Sequence, residues 1–423
     1  MRKLFVQNLF IALLISPPLL YAQNERNNRL SLEDCIKTGL QNNPGIQSSQ
    51  FFVEENQTKI DEAYSGYYPK VNLNSNAATY SNNNGSQQYE NYNTGISASY
   101  NLFNGFRTKA GYNAAKDNYE ANIFQHESIK QDFVLNITYA YYKTLQAERI
   151  LKSAEEAVKN SQLHLDFANA RNIAGMATRS DILKSEVELS NAELEKIKAA
   201  NSLLAAKGNL NQLMGLPSNN PVEIIDDLSE LNENPGQSYD SLFAEAMESR
   251  VEVKRFYSLL NAQQNYIQLA KGEYYPSLDA NANYNFAGEK ISGMQQNWWL
   301  GMTLTIPVFK GFSTKARVAG EEIALKGLEK DFEALKQQIG QEIWNAFLAM
   351  NESSERVTTT SKGLESAREN LSLSEGEYKE GTGSIIQLTD AQTTFVAAEQ
   401  NYIQAVADYK ISLAELRRTT GNL

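Results

Sequence analysis

The sequence predicts a mainly α fold with a small β part, assembled from two tandem copies of one half-molecule. Three observations lead there. First, the chain matches itself at a constant lag of about 206 residues: Gly66-Tyr67-Tyr68-Pro69 meets Glu273-Tyr274-Tyr275-Pro276, and Leu102-Phe103-Asn104-Gly105-Phe106 meets Val308-Phe309-Lys310-Gly311-Phe312. Second, each copy holds two segments in which apolar and polar residues alternate with period two. Third, each copy holds a very long run without proline, Thr108 to Arg171 and Thr314 to Lys379. The repeat is far longer than the roughly 20–50 residues of a solenoid unit. Each copy is therefore half of one body, and the halves are related by pseudo-symmetry.

The first 22 residues read as a secretory signal: Arg2 and Lys3 open it, Leu9 to Ile15 form a short apolar core, and Leu20-Tyr21-Ala22 ends in a small residue. No later stretch approaches the ~20 apolar residues of a spanning helix, so any membrane crossing is made by strands. The lone Cys35 excludes an internal disulfide framework. It follows Leu32-Glu33-Asp34, which is unlike a lipoprotein cleavage site, so Cys35 is expected inside a helix. The net charge of −11 argues against nucleic acid, whose phosphates need a basic face.

Leu32 to Ser65 reads as helix, with Ser31 as N-cap, Glu33-Asp34 in the first turn and a break at Asn42-Asn43-Pro44. In the strands that follow, Val71, Leu73, Ala77 and Thr79 alternate with asparagines, and Ile96, Ala98 and Tyr100 with small polar residues; Ser81 to Asn91 reads as the loop between them. The second copy repeats this with Leu278 to Phe286 and Trp298 to Val308, placing the two hairpins at about 70–103 and 277–309. Strands of about 10 residues cross a bilayer when tilted. Tyr67, Tyr68, Phe103, Tyr274, Tyr275, Trp298, Trp299 and Phe309 gather at their ends like a membrane-interface girdle. The asparagine face suits a watery interior.

The two long runs would each make a helix of roughly 95 Å. In the last helix Leu388, Ala391, Phe395, Ala398, Tyr402, Ala405, Tyr409, Ser412 and Leu416 recur by threes and fours, and Leu183, Val187, Leu194, Ile197 and Leu204 keep the same rhythm in the first copy. Such spacing makes coiled-coil seams. Short turns at Gly175 to Thr178 and Gly381 to Ser384 reverse the chain, and Leu216 to Tyr239 joins the copies. The resulting division is signal 1–22, first repeat 23–215, linker 216–238 and second repeat 239–423.

The chain resembles the TolC family of outer-membrane efflux and secretion channels over essentially its whole mature length. The resemblance rests on Ser31-Leu32-Glu33-Asp34 with Asn42-Asn43-Pro44, the Tyr-Tyr-Pro before each hairpin, Leu-Phe-Asn-Gly and Val-Phe-Lys-Gly after it, and above all the two helix-turn-helix tips, Arg171 to Leu183 and Tyr378 to Ala391. It implies a homotrimer. Strand count demands something similar: four strands cannot close a barrel, open edges are not tolerated in lipid, and three chains give a shared barrel of twelve strands. The barrel would continue into a helical tunnel across the periplasm. The resemblance also implies a gate at the tips. Asp390 falls on a position that faces the lumen as a carboxylate ring, and Gln387, one turn earlier, stands where an acid is common. Asp181 and Tyr378 match positions whose hydrogen bonding holds such gates shut; Gly383 replaces a basic latch residue. The tips at Gly175, Thr178, Gly381 and Ser384 would meet a periplasmic membrane-fusion adaptor, itself joined to an inner-membrane pump of the RND or ABC type. The expected role is a passive exit duct in the outer membrane. The other reading is a periplasmic or surface coiled-coil protein without a channel. Nothing points to an enzyme or a cofactor: His126 and His164 lie far apart, and no phosphate loop or nucleophile elbow is present.

Overall fold

The computed structural model describes residues 29–81, 88–228 and 238–423. The signal segment, part of the first hairpin loop and part of the linker lie outside them. Element order repeats: α1 Leu32–Asn42, α2 Pro44–Tyr64, β1 Lys70–Ser81, β2 Gln88–Phe103, α3 Arg107–Ile173 and α4 Arg179–Leu213, then α5 Tyr239–Ser249, α6 Val251–Lys271, β3 Ser277–Gly288, β4 Gln295–Thr305, α7 Ser313–Glu380 and α8 Ile385–Thr420.

The helix starts have local causes. Ser31 and Asp34 form a reciprocal capping box. Asn43 ends α1 in extended geometry and caps α2 by accepting from the Gly45 amide, with Pro44 in the first turn. The break between α1 and α2 is therefore encoded in three residues. α3 and α7 span 67 and 68 residues. Each begins at a phenylalanine in left-handed geometry, Phe106 at φ 64° and Phe312 at φ 63°.

The four strands form one antiparallel sheet in the order β1-β2-β3-β4. The register carries the alternation across every strand. Leu73 pairs with Ile96, Ile96 with Tyr284, and Tyr284 with Trp298. One row further, Asn72 pairs with Ser97 and Ser97 with Asn283, so apolar and asparagine-rich residues hold opposite faces. The strands extend beyond the expected limits: β2 starts at Gln88, inside the segment read as a loop, whereas β4 stops at Thr305, short of Val308. Pro307 explains the stop, since it cannot donate to a ladder.

The main core sits at mid-length, where α1, α3, α5, α7 and α8 converge on Ile137, Tyr141, Leu145, Ile339, Ile343 and Val406. The linker closes it from outside. Leu30 bridges Ile224 in parallel, Tyr141 donates to the Ile225 carbonyl at 2.6 Å, and Arg149 grips Asp226 with two bonds of 2.8 Å. Cys35 lies inside α1, as expected, and is fully buried here. A smaller core at the tips joins Leu371, Tyr378, Ile385, Leu388 and Ala391.

The seam expected along α8 is formed: Leu388, Ala391, Ala405, Tyr409, Ser412 and Leu416 are buried. Its counterpart on α4 is not. Leu183, Val187, Leu194, Ile197 and Leu204 are between 48% and 68% exposed, because α4 meets α3 through the adjacent stripe of Ile182, Ser185, Ala199 and Leu210. The helix has two apolar stripes, and a single chain covers one.

Candidate functional site

Two regions carry the features a duct requires: the sheet and the helix tips. On the sheet, Leu73, Leu300, Met302 and Leu304 are 61–74% exposed. Side chains this apolar on both outer strands are costly in water, at about 25 cal/mol per Å². Aromatics mark both ends. At the helix end Tyr64, Tyr67, Tyr68 and Tyr112 pack together, and Phe106 sits edge-on to both Phe103 and Tyr275. Phe309 pairs with Phe312 in the same manner, and Tyr274, next to Tyr275, is exposed. At the far end Tyr80 stacks on Tyr89. Trp298 lies on the apolar face, but Trp299 pairs with Asn283 on the asparagine face. The two tryptophans, expected together in the girdle, face opposite ways because consecutive strand residues must.

At the tips each turn is built by a glycine and a capping box. Gly175 and Gly381 take φ 73° and 84°, where a side chain is strained. Thr178 accepts from the Asp181 amide while the Asp181 carboxylate accepts from the Thr178 amide at 2.8 Å and its hydroxyl at 2.9 Å. Ser384 and Gln387 repeat the arrangement. These hydrogen bonds hold the Asp181 carboxyl below its usual range despite slight burial. Asp181 and Gln387, expected as latch and lumen residues, thus spend their side chains on helix starts.

The link between the two hairpins runs through a residue that sequence reasoning passed over. The Arg171 guanidinium donates to the Tyr378 carbonyl at 2.7 Å and lies 4.8 Å from the centre of its ring. The Tyr378 side chain is buried, and its hydroxyl finds no hydrogen-bond partner among the described residues. Burial pushes that phenol above its ordinary pKa. Arg171 thus sets a cation of the first tip against the backbone and ring of Tyr378 in the second. The signal was available: Arg171 is the last basic residue of α3.

Above the tips, α3, α4 and α8 enclose a groove of about 920 Å³ whose walls include Leu183, Val187, Glu188, Ile386 and Asp390. Asp390 is exposed there. Glu188 ties the three helices together: Thr389 donates to it at 2.9 Å, Ser161 at 3.5 Å, and His164 stands 3.5 Å away. Glu188 also escaped sequence reasoning, since one more glutamate on a charged helix carries no pattern. Among the described residues no cluster of potential metal ligands occurs, and no helix is long and apolar enough to cross a membrane.

The profile of the family described as outer membrane efflux protein matches residues 35–216 and 242–422. The chain belongs to that family. Protein CyaE of Bordetella pertussis is 20% identical, with 94% of this chain and 85% of that protein covered. Outer membrane protein TolC of Escherichia coli K12 is 23% identical over 90% of this chain and 80% of its own length. Among solved structures, the fold superposes on CusC with a TM-score of 0.80 at 19% identity, covering 92% of both chains. It superposes on the open-state MtrE channel of Neisseria gonorrhoeae with a TM-score of 0.79 at 20% identity, covering 92% of this chain and 88% of that one. The protein is an outer-membrane efflux channel component that serves as an exit duct for efflux or secretion.

Proposed function

We propose that three copies form a gated duct that passively conducts cargo from an inner-membrane pump of the RND or ABC type, through a periplasmic adaptor docked at the tips. The observation that supports this best is the sheet: four strands, one continuous apolar face and, among the described residues, two unpaired edges at β1 and β4. Lipid requires those edges to be paired, and cyclic repetition of the chain pairs them. Its exposed apolar face also disfavours the coiled-coil reading. The chain is exported by its N-terminal signal and is not lipidated at Cys35, which is buried inside α1.

The tips form the gate. In the resting arrangement Arg171 holds α3 to α7, and Glu188 holds α4 to α8. Adaptor binding shifts the population toward tips that have parted at these contacts. Asp390 lines the lumen near the constriction and favours cations there. In a strain lacking its own efflux duct, Arg171→Ala should admit large antibiotics several-fold more readily than the parent protein. A susceptibility equal to the parent's, at equal protein levels, would remove Arg171 from the gate.

A further inference from the structure

The asparagine face of the sheet carries more chemistry than a passive wall requires. In one row Asn72 pairs with Ser97, Ser97 with Asn283 and Asn283 with Trp299; in the next, Asn74, Gly95, Asn285 and Asn297 stand side by side. Some of these amides bond across the strands: Asn285 donates to Asn93 at 3.3 Å and Asn74 to Ser97 at 3.1 Å. Others, Asn72, Asn283 and Asn297, are exposed. Charge is confined to the helix end of the face, where Lys70 stands and Asn101 donates to Asp279 at 2.6 Å. From there to the row where Tyr80 pairs with Tyr89, roughly 30 Å along β1, the face has no charged side chain among the described residues. A chain with 50 acidic and 39 basic residues leaves this stretch neutral. Trp299 stands in its first row. It is 52% exposed, and its ring lies across Gly301, where a Cβ would come within 2.8 Å of it. A tryptophan that anchors a membrane interface belongs on the apolar side, where Trp298 already stands. On the opposite face the same ring is an aromatic plate, with Asn283 paired to Trp299 itself and Asn281 to Gly301.

We propose that this face is a track for neutral, hydroxyl-rich cargo, an oligosaccharide, with Trp299 as the plate on which a sugar ring stacks. This rests on the duct reading, which turns the face toward the lumen, and adds the class of cargo. A charged solute finds no opposite charge along the neutral stretch to select it. An apolar solute would strip water from amides that it cannot hydrogen-bond, which is costly. A sugar meets both features at once. Each asparagine offers two donors and an acceptor, which match neighbouring hydroxyls. The C–H side of a sugar ring is apolar and flat enough to pack on an indole. Tyr80 and Tyr89, with ring centres 5.2 Å apart on the same face, give a second aromatic surface at the far end of the stretch. Such contacts are individually weak, which suits a path that must release what it holds.

The test uses the full-length protein extracted in a detergent without a sugar head group, so that the detergent does not compete. The probe is maltohexaose, with binding read by saturation-transfer NMR and native mass measured on the same sample. Maltohexaose should bind, and hexalysine and hexaglutamate should not. Trp299→Ala should weaken the sugar about tenfold, the loss of one aromatic contact. Trp298→Ala removes the same ring from the opposite face and should leave sugar binding unchanged. An assembled protein that ignores maltohexaose, or that loses it equally with either substitution, would overturn the cargo class and leave the duct reading intact. Tighter binding of a phosphorylated core oligosaccharide from the surface lipid than of maltohexaose would assign the face to that lipid and also overturn it. A monomeric parent protein would overturn both readings.

Discussion

Glu252 shows how a single residue ties the helices of the second repeat to one another. It accepts from Arg250 and, at 2.6 Å, from Arg418 near the end of α8, while Arg250 also reaches Glu342 of α7 at 2.6 Å. Burial alone would push the Glu252 carboxyl up, but the two guanidiniums outweigh it and hold the pKa at about 2, against an ordinary 4.5. A depressed carboxylate stabilises the fold above its unfolded pKa and loses that contribution as pH falls through the folded value. The contribution, on the order of 3 kcal/mol, should therefore be present at neutral pH and disappear between about pH 4.5 and 2. Thermal melts should show Glu252→Gln well below the parent at pH 7 and the two converging near pH 2. A constant gap across that range would assign the pair no net role. At the same scale, Asp390→Ala should weaken block of the open channel by trivalent cations in planar bilayers; unchanged block would take Asp390 out of the lumen.

At the scale of the element, the tips are the least supported part of the long hairpins, held by caps and a small core. Thr178→Ala and Ser384→Ala each remove one half of a capping box and should cost about 1 kcal/mol. Hydrogen exchange should quicken in the first turns of α4 and α8 and stay unchanged at the mid-length core. Uniform quickening would mean that the tips are not independent of the body. The helices, the break at Asn43 and the facing of the strands were legible in the sequence, because capping residues and periodicity are local. What was not legible depended on partners elsewhere. Leu183 to Leu204 has the rhythm of a buried seam, but rhythm does not say whether the covering helix belongs to the same chain. Glu188 joins α3, α4 and α8 through Ser161 and Thr389, partners far from it in sequence. Arg171 and Tyr378 meet across the turns of two separate hairpins, a contact no single stretch of sequence contains.

The whole molecule is legible as an unfinished one. Among the described residues its sheet ends at β1 and β4, its apolar strand face is open, and α4 carries an uncovered apolar stripe. The measurement that bears most directly on this is the native mass of the protein extracted from outer membranes in mild detergent, corrected for bound detergent. The account predicts the mass of three chains. A monomer would leave a four-stranded sheet with bare edges in lipid, and would contradict it.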